Sequence, residues 1–175
     1  MDHDSLYETD ICAWAEQQSA ALRSLASRTD LPNTLDLPRI AEEIEDVGNS
    51  QLRSVNSFMR LILSHIILIA MDADADPVRH WTREVATFRG ELIQSWQPSM
   101  RQRIDMDRIW RHAVEEAVLK MSTWRGGESV FDAEAITGRL GAVSPFGIDD
   151  LCGERFGFHD LVERMRAHLA REGSV

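Results

Sequence analysis

Residues 36–71 set the tightest limit on what this chain can fold into. The acidic segment LPRIAEEIEDVGNSQ, beginning at Leu37, runs into FMRLILSHIILIAM, an apolar block from Phe58 to Met71 that carries one histidine, His65. As a helix the block is apolar on nearly every side, which suits a protein interior or a bilayer. It holds Arg60 and His65 and falls short of the roughly 20 apolar residues that a bilayer span needs, so it reads as a buried core helix. Nowhere does apolar/polar alternation outlast a helical alternative, so no strand is expected.

Helical signals recur along the rest of the chain. A first helix is expected over 5–28, opened by a Ser5/Glu8 capping box, with Tyr7, Ile11, Trp14, Leu22 and Leu25 facing inward. Thr29 to Thr34 is a loop. Asp36 caps a second helix with Pro38 in its first turn, and Leu37, Ile40, Ala41, Ile44 and Val47 form its buried stripe. Gly48-Asn49 ends or kinks it, and the central helix follows from 50 to 71. Asp76-Pro77 starts a fourth helix in the favoured cap-then-proline order, with Trp81, Val85, Phe88 and Leu92 at helical spacing. Pro98-Ser99 restarts the chain into a fifth, with Ile109, Ala113, Ala117, Met121 and Trp124 inward and Gly126-Gly127 as its stop. Glycines then become frequent. Short helices are expected near 132–140 and 148–152, then a final helix over 158–171 striped by Leu161, Val162, Met165 and Leu169. The expected architecture is all-α: a single domain over 1–175, with a bundle core at 5–125, an irregular stretch at 126–157 and an added C-terminal helix at 158–172.

Composition narrows the function classes. A chain of 175 residues with 43% apolar and 27% charged residues suits one soluble domain with a real core. A formal net charge of −10 repels phosphate backbones and anionic lipid, so neither nucleic-acid nor membrane-surface binding is expected. Cys12 and Cys152 form no ligand spacing and read as reduced thiols of a cytoplasmic protein. The N-terminus lacks the basic and apolar regions of a signal peptide. Lys120 is the only lysine, which reads as a composition bias.

Several polar residues are oddly placed. Glu42 and Asp46 point outward together, whereas Glu43 and Glu45 fall on opposite borders of the Ile40/Ile44/Val47 stripe, at about 100° per residue. His65 sits in an apolar helix, and a buried imidazole without a partner costs about 1–3 kcal/mol. The preceding helix offers Glu43; the following helix offers Arg89 and Glu84 at opposite borders of its Trp81 stripe. A Glu43–His65–Arg89 cluster is therefore expected, either as a polar network fixing helix register or as an acid/base site. No histidine has glutamate three residues before it, which excludes the di-iron pattern. The DADAD segment lacks the glycine and final glutamate of a calcium loop. Asp76, His80 and Glu84, at successive i, i+4 spacing, are weak metal candidates against the plainer reading of an exposed helix face. No nucleophile or phosphate-loop motif is present, and no cofactor is expected.

Tyr7-Glu8-Thr9-Asp10 with Trp14, Glu42-Glu43-Ile44-Glu45 with Gly48, His65, Trp81 with Arg89, and Pro98-Ser99 occur in an order that resembles the domain-of-unknown-function family numbered 29. The resemblance covers about residues 5 to 125. It implies a small bacterial helical protein and no established reaction; His80 departs from the serine usual there. The expected function is a non-enzymatic interaction or regulatory protein, acting through a protein partner or self-association. The alternative is a metal-dependent enzyme using Glu43, His65 and Arg89 as catalytic candidates.

Overall fold

A computed structural model describes residues 3–28, 30–32, 34–72, 77–124 and 132–172. Every regular element among them is helical. They run α1 (His3–Thr9), α2 (Ile11–Leu25), α3 (Leu37–Met71), α4 (Val78–Ser95), a 3-10 segment (Pro98–Arg103), α5 (Met106–Trp124), α6 (Ala133–Leu140), α7 (Ile148–Cys152) and α8 (Phe158–Glu172). The all-α bundle with a short-helix C-terminal part is what the sequence leads one to expect. Asp76, Gly126 and Gly127 lie outside the described residues, as does the Trp124 side chain.

Three expected boundaries move. The first helix divides at Asp10, which adopts a non-helical conformation (φ −151, ψ 82) and caps α2 by accepting from Ala13 N at 2.9 Å. Ser5 is consequently inside α1 and not at a cap. The second and third helices merge into one of 35 residues, about 52 Å long. Gly48 does not end it, because a glycine keeps its backbone N–H and weakens a helix by only about 1 kcal/mol relative to alanine. Last, Pro98 starts a 3-10 segment, and α5 begins only at Met106.

The chain divides into two compact units: Met1–Val55 with Ser95–Ile104, and Asn56–Gln94 with Asp105–Val175. In the first, α2 meets the N-terminal half of α3 at Gly48, where a Cβ would lie 3.3 Å from Ala15 Cβ and 3.4 Å from Cys12 Cα. The Cys12 thiol donates to the Gly48 carbonyl at 3.3 Å. The 3-10 segment is fastened through Asp10, which accepts Ser99 N at 3.1 Å and Ser99 Oγ at 2.6 Å. Gln97 Oε1 accepts Cys12 N, and Arg103 donates to Asn49 Oδ1.

This meeting sets the rotation of α3 and corrects the stripe. Leu37, Ala41 and Gly48 are buried, but Ile40 is 39% and Val47 44% exposed, with Ile44 half-buried. Tyr7 and Leu25, also expected inside, are exposed.

The second unit holds the apolar block. All residues from Ile62 to Ile69 are buried, Ser64 and His65 included. An 18-residue window of α3 is apolar enough to cross a membrane by length and composition, and 56% of it is buried inside the fold. The expected stripes of α4, α5 and α8 supply Trp81, Val85, Leu92, Ile109, Ala113, Ala117, Leu161 and Met165 to the interior. Trp110, fully buried, donates Nε1–H to Gly141 O at 3.0 Å and meets the Phe146 ring edge-on. Arg164 closes the C-terminal part by reaching Asp150 and the Pro145 carbonyl.

Candidate functional site

In the second unit, ionisable side chains of three helices converge on His65. The imidazole is 3% exposed. Its Nδ1 lies 2.6 Å from Leu61 O, one turn back on α3. Its Nε2 lies 2.9 Å from Glu84 Oε2 of α4, and the same oxygen is 3.3 Å from Nε2 of His80, an exposed residue one turn earlier on that helix. Phe88, one turn beyond Glu84, tilts its ring 5.7 Å from the imidazole. Helical spacing accounts for this line-up: His80, Glu84 and Phe88 recur every four residues beside the buried Trp81/Val85/Leu92 face.

A second charged group flanks the first. Glu116 of α5 forms an ion pair with Arg60 of α3 and a 2.9 Å pair with Lys120 one turn on. Burial lowers the Lys120 pKa, with Glu84 opposing that shift and Arg60 adding to it. Burial likewise lowers the His65 pKa. The Leu61 carbonyl and Glu84 pull it up, and Lys120 pushes it further down. Histidine, carboxylate and amine therefore sense one another across α3, α4 and α5.

The expected Glu43–His65–Arg89 cluster does not form. Glu43 and His65 belong to one uninterrupted helix, about six turns apart along it, and the carboxylate that meets the ring is Glu84. Glu43 is exposed. Arg89 is engaged elsewhere: it donates to Gly153 O at 2.8 Å and lies 5.2 Å from the Phe156 ring centre. Of the metal row, His80 and Glu84 meet, while Asp76 lies outside the described residues. Among the described residues, no three His, Cys, Asp or Glu side chains are arranged to hold a metal ion. The two candidate sets instead contribute His65, Glu84 and His80 to one cluster.

Cys12 and Cys152 form no disulfide. Burial and the nearby Asp10 raise the Cys12 pKa against the pull of Arg103, which keeps it a thiol. Cys12 also borders a cleft of about 230 Å³ with Glu16, Glu45 and Arg103. Sequence reading missed Asp10 as a fastening point and missed the Arg60–Glu116–Lys120 group. The i, i+4 spacing of Glu116 and Lys120 was its available signal.

The chain belongs to the family described as Domain of unknown function DUF29, whose model matches residues 6–134. It is similar to an alpha-helical protein of unknown function from Rhodospirillum rubrum, known from a crystal structure. The two share 35% identity with a TM-score of 0.76, over 90% of this chain and 96% of that one. No curated protein matches.

Proposed function

We propose that this protein is a non-enzymatic interaction protein of the cytoplasm that docks a protein partner on the N-terminal half of α3. The observation that carries the reading is the exposed row Ile40 and Val47, with half-buried Ile44 between them, on a helix whose adjacent Gly48 face, about a quarter turn round, is already occupied by α2. Two β-branched apolar side chains two turns apart on one exposed face form a ridge of the kind that partner helices cover. Glu43 lies on the same face, with Glu42 and Asp46 beside it, all exposed.

Charge selects the occupant. A net charge of −10 and carboxylates along the ridge disfavour a second copy of this chain. They favour an amphipathic segment with an apolar i, i+4, i+7 stripe flanked by arginine or lysine. In this reading His65, Glu84 and the Arg60–Glu116–Lys120 group hold helix register and are not catalytic.

Two synthetic helical peptides test this by calorimetric titration of the full chain: one with a leucine stripe flanked by arginine, one with the same stripe flanked by glutamate. The arginine-flanked peptide is expected to bind, and added salt to weaken it. Ile40→Ser with Val47→Ser is expected to reduce its affinity about tenfold or more, because roughly 1.4 kcal/mol of apolar contact is a factor of ten. Equal binding of both peptides, or of neither, overturns the reading. A wild-type dimer abolished by the same substitutions assigns the ridge to self-association instead.

A further inference from the structure

The hydrogen bonds of His65 fix its proton count. Nδ1 faces Leu61 O at 2.6 Å, a carbonyl that only accepts, so this nitrogen carries a hydrogen. Nε2 faces Glu84 Oε2 at 2.9 Å. A neutral ring already bonded through Nδ1–H presents a lone pair at Nε2, and an ionised carboxylate presents another. Two lone pairs at that distance repel. Both contacts hold together only when the His65–Glu84 pair carries one proton, on the ring or on the carboxyl group.

Of the two side chains, Glu84 is the one with somewhere to go. It is 34% exposed against 3% for His65. Its Oε2 is also 3.3 Å from Nε2 of His80, which is 61% exposed and in exchange with water. We propose that Glu84 is a proton-gated latch: it ties α4 to the buried His65 of α3 while the pair holds one proton, and swings towards His80 and solvent when that proton leaves.

Among the described residues, the charged groups facing the latch are Arg60 on α3, His80 on α4, and Glu116 and Lys120 on α5. Glu116 pairs with both Arg60 and Lys120, so neither cation is an alternative hydrogen-bond partner for Glu84 in this arrangement. Lys120 acts through its field, which works with burial against a charged imidazole. The net lowering of the His65 pKa places release below the ordinary histidine value of about 6.5. The latch is closed on the acid side of that transition and open above it.

Nitrogen and carbon NMR of the full chain, titrated between about pH 4 and pH 8, reads both partners directly. In the wild type, His65 Nε2 is expected to move from its protonated to its lone-pair shift with a midpoint below about 6.5, while Nδ1 stays protonated. The Glu84 carboxyl carbon is expected to move with the same midpoint. Glu84→Gln supplies a carboxamide N–H that donates to a neutral Nε2 without an extra proton. In that variant the contact persists and the His65 midpoint falls by at least about one pH unit. A His65 ring that does not titrate in the wild type, a Glu84 carbon that ignores it, or an unchanged midpoint in Glu84→Gln overturns the latch.

Discussion

Asp10 is one side chain with two structural duties, capping α2 and holding Ser99, and removing it should be costly. Its Oδ1 accepts Ala13 N and Ser99 Oγ, and its Oδ2 accepts Ser99 N, while the residue itself is only 9% exposed. Asp10→Ala removes the α2 cap, worth about 1 kcal/mol. It also strands the half-buried Ser99 donors, at about 1–3 kcal/mol in sum. The expected loss is about 2–4 kcal/mol, or roughly 5–15 °C in Tm for a chain of this size. Asp10→Asn separates the two duties. An asparagine oxygen still caps α2, but its amide nitrogen now meets the Ser99 N–H, donor against donor, so an intermediate loss is expected. Thermal unfolding of Asp10→Ala, Ser99→Ala and the double variant forms a cycle whose coupling should be about 1 kcal/mol or more. Strict additivity, or an Asp10→Ala variant that melts within about 1 °C of wild type, refutes the argument that this carboxylate fastens the 3-10 segment to α2.

Three further outcomes follow from the second unit. Ile66, fully buried in α3, is expected to cost about 2–5 kcal/mol as Ile66→Ala, measured by urea unfolding; a loss under about 0.5 kcal/mol contradicts its place in the core. The lowered His65 pKa means the unfolded chain binds more protons in the interval between the folded-state value and about 6.5. This contribution is therefore fully present above about pH 6.5 and is lost as the pH falls through that interval, and His65→Leu should flatten this part of a Tm-versus-pH curve. Arg164 lowers the Asp150 pKa, so their pair stabilises above about pH 3.8 and fades as the pH falls below it. The Tm deficit of Arg164→Ala should accordingly be larger at pH 7 than near pH 3.

What the sequence made legible was whatever depends on local pattern. The burial of Ile62, Ile66 and His65, the stripes of α4 and α8, and the short helices α6 and α7 all follow from local pattern along the chain. What escaped it depends on helix–helix approach. Gly48 looks like a helix stop in one dimension, yet its missing side chain serves the contact with Ala15 and Cys12. Reading it as a break turned one helix into two and brought Glu43 beside His65 on paper. The same error rotated α3 and hid the exposed Ile40/Val47 row. Glu84 was legible as one candidate partner of His65, but choosing it over Arg89 required the packing of α4. Lys120 looked like a remnant of composition because nothing local in the chain marks a lysine that feels Glu84 across a helix interface.

The continuity of α3 underlies both the exposed ridge and the isolation of His65 from Glu43, and a spin-label distance tests it. Arg39 and Ser54 are exposed on α3, one on either side of Gly48. With cysteines placed there in a background carrying Cys12→Ser and Cys152→Ala, double electron–electron resonance should give a backbone separation of about 22 Å, from roughly 1.5 Å per residue along one axis. Two antiparallel helices folded back at Gly48 would bring the same positions to about 12 Å, given interaxial distances of roughly 8–10 Å. The longer distance is the expected result. The shorter one would contradict the continuous helix and the account built on it.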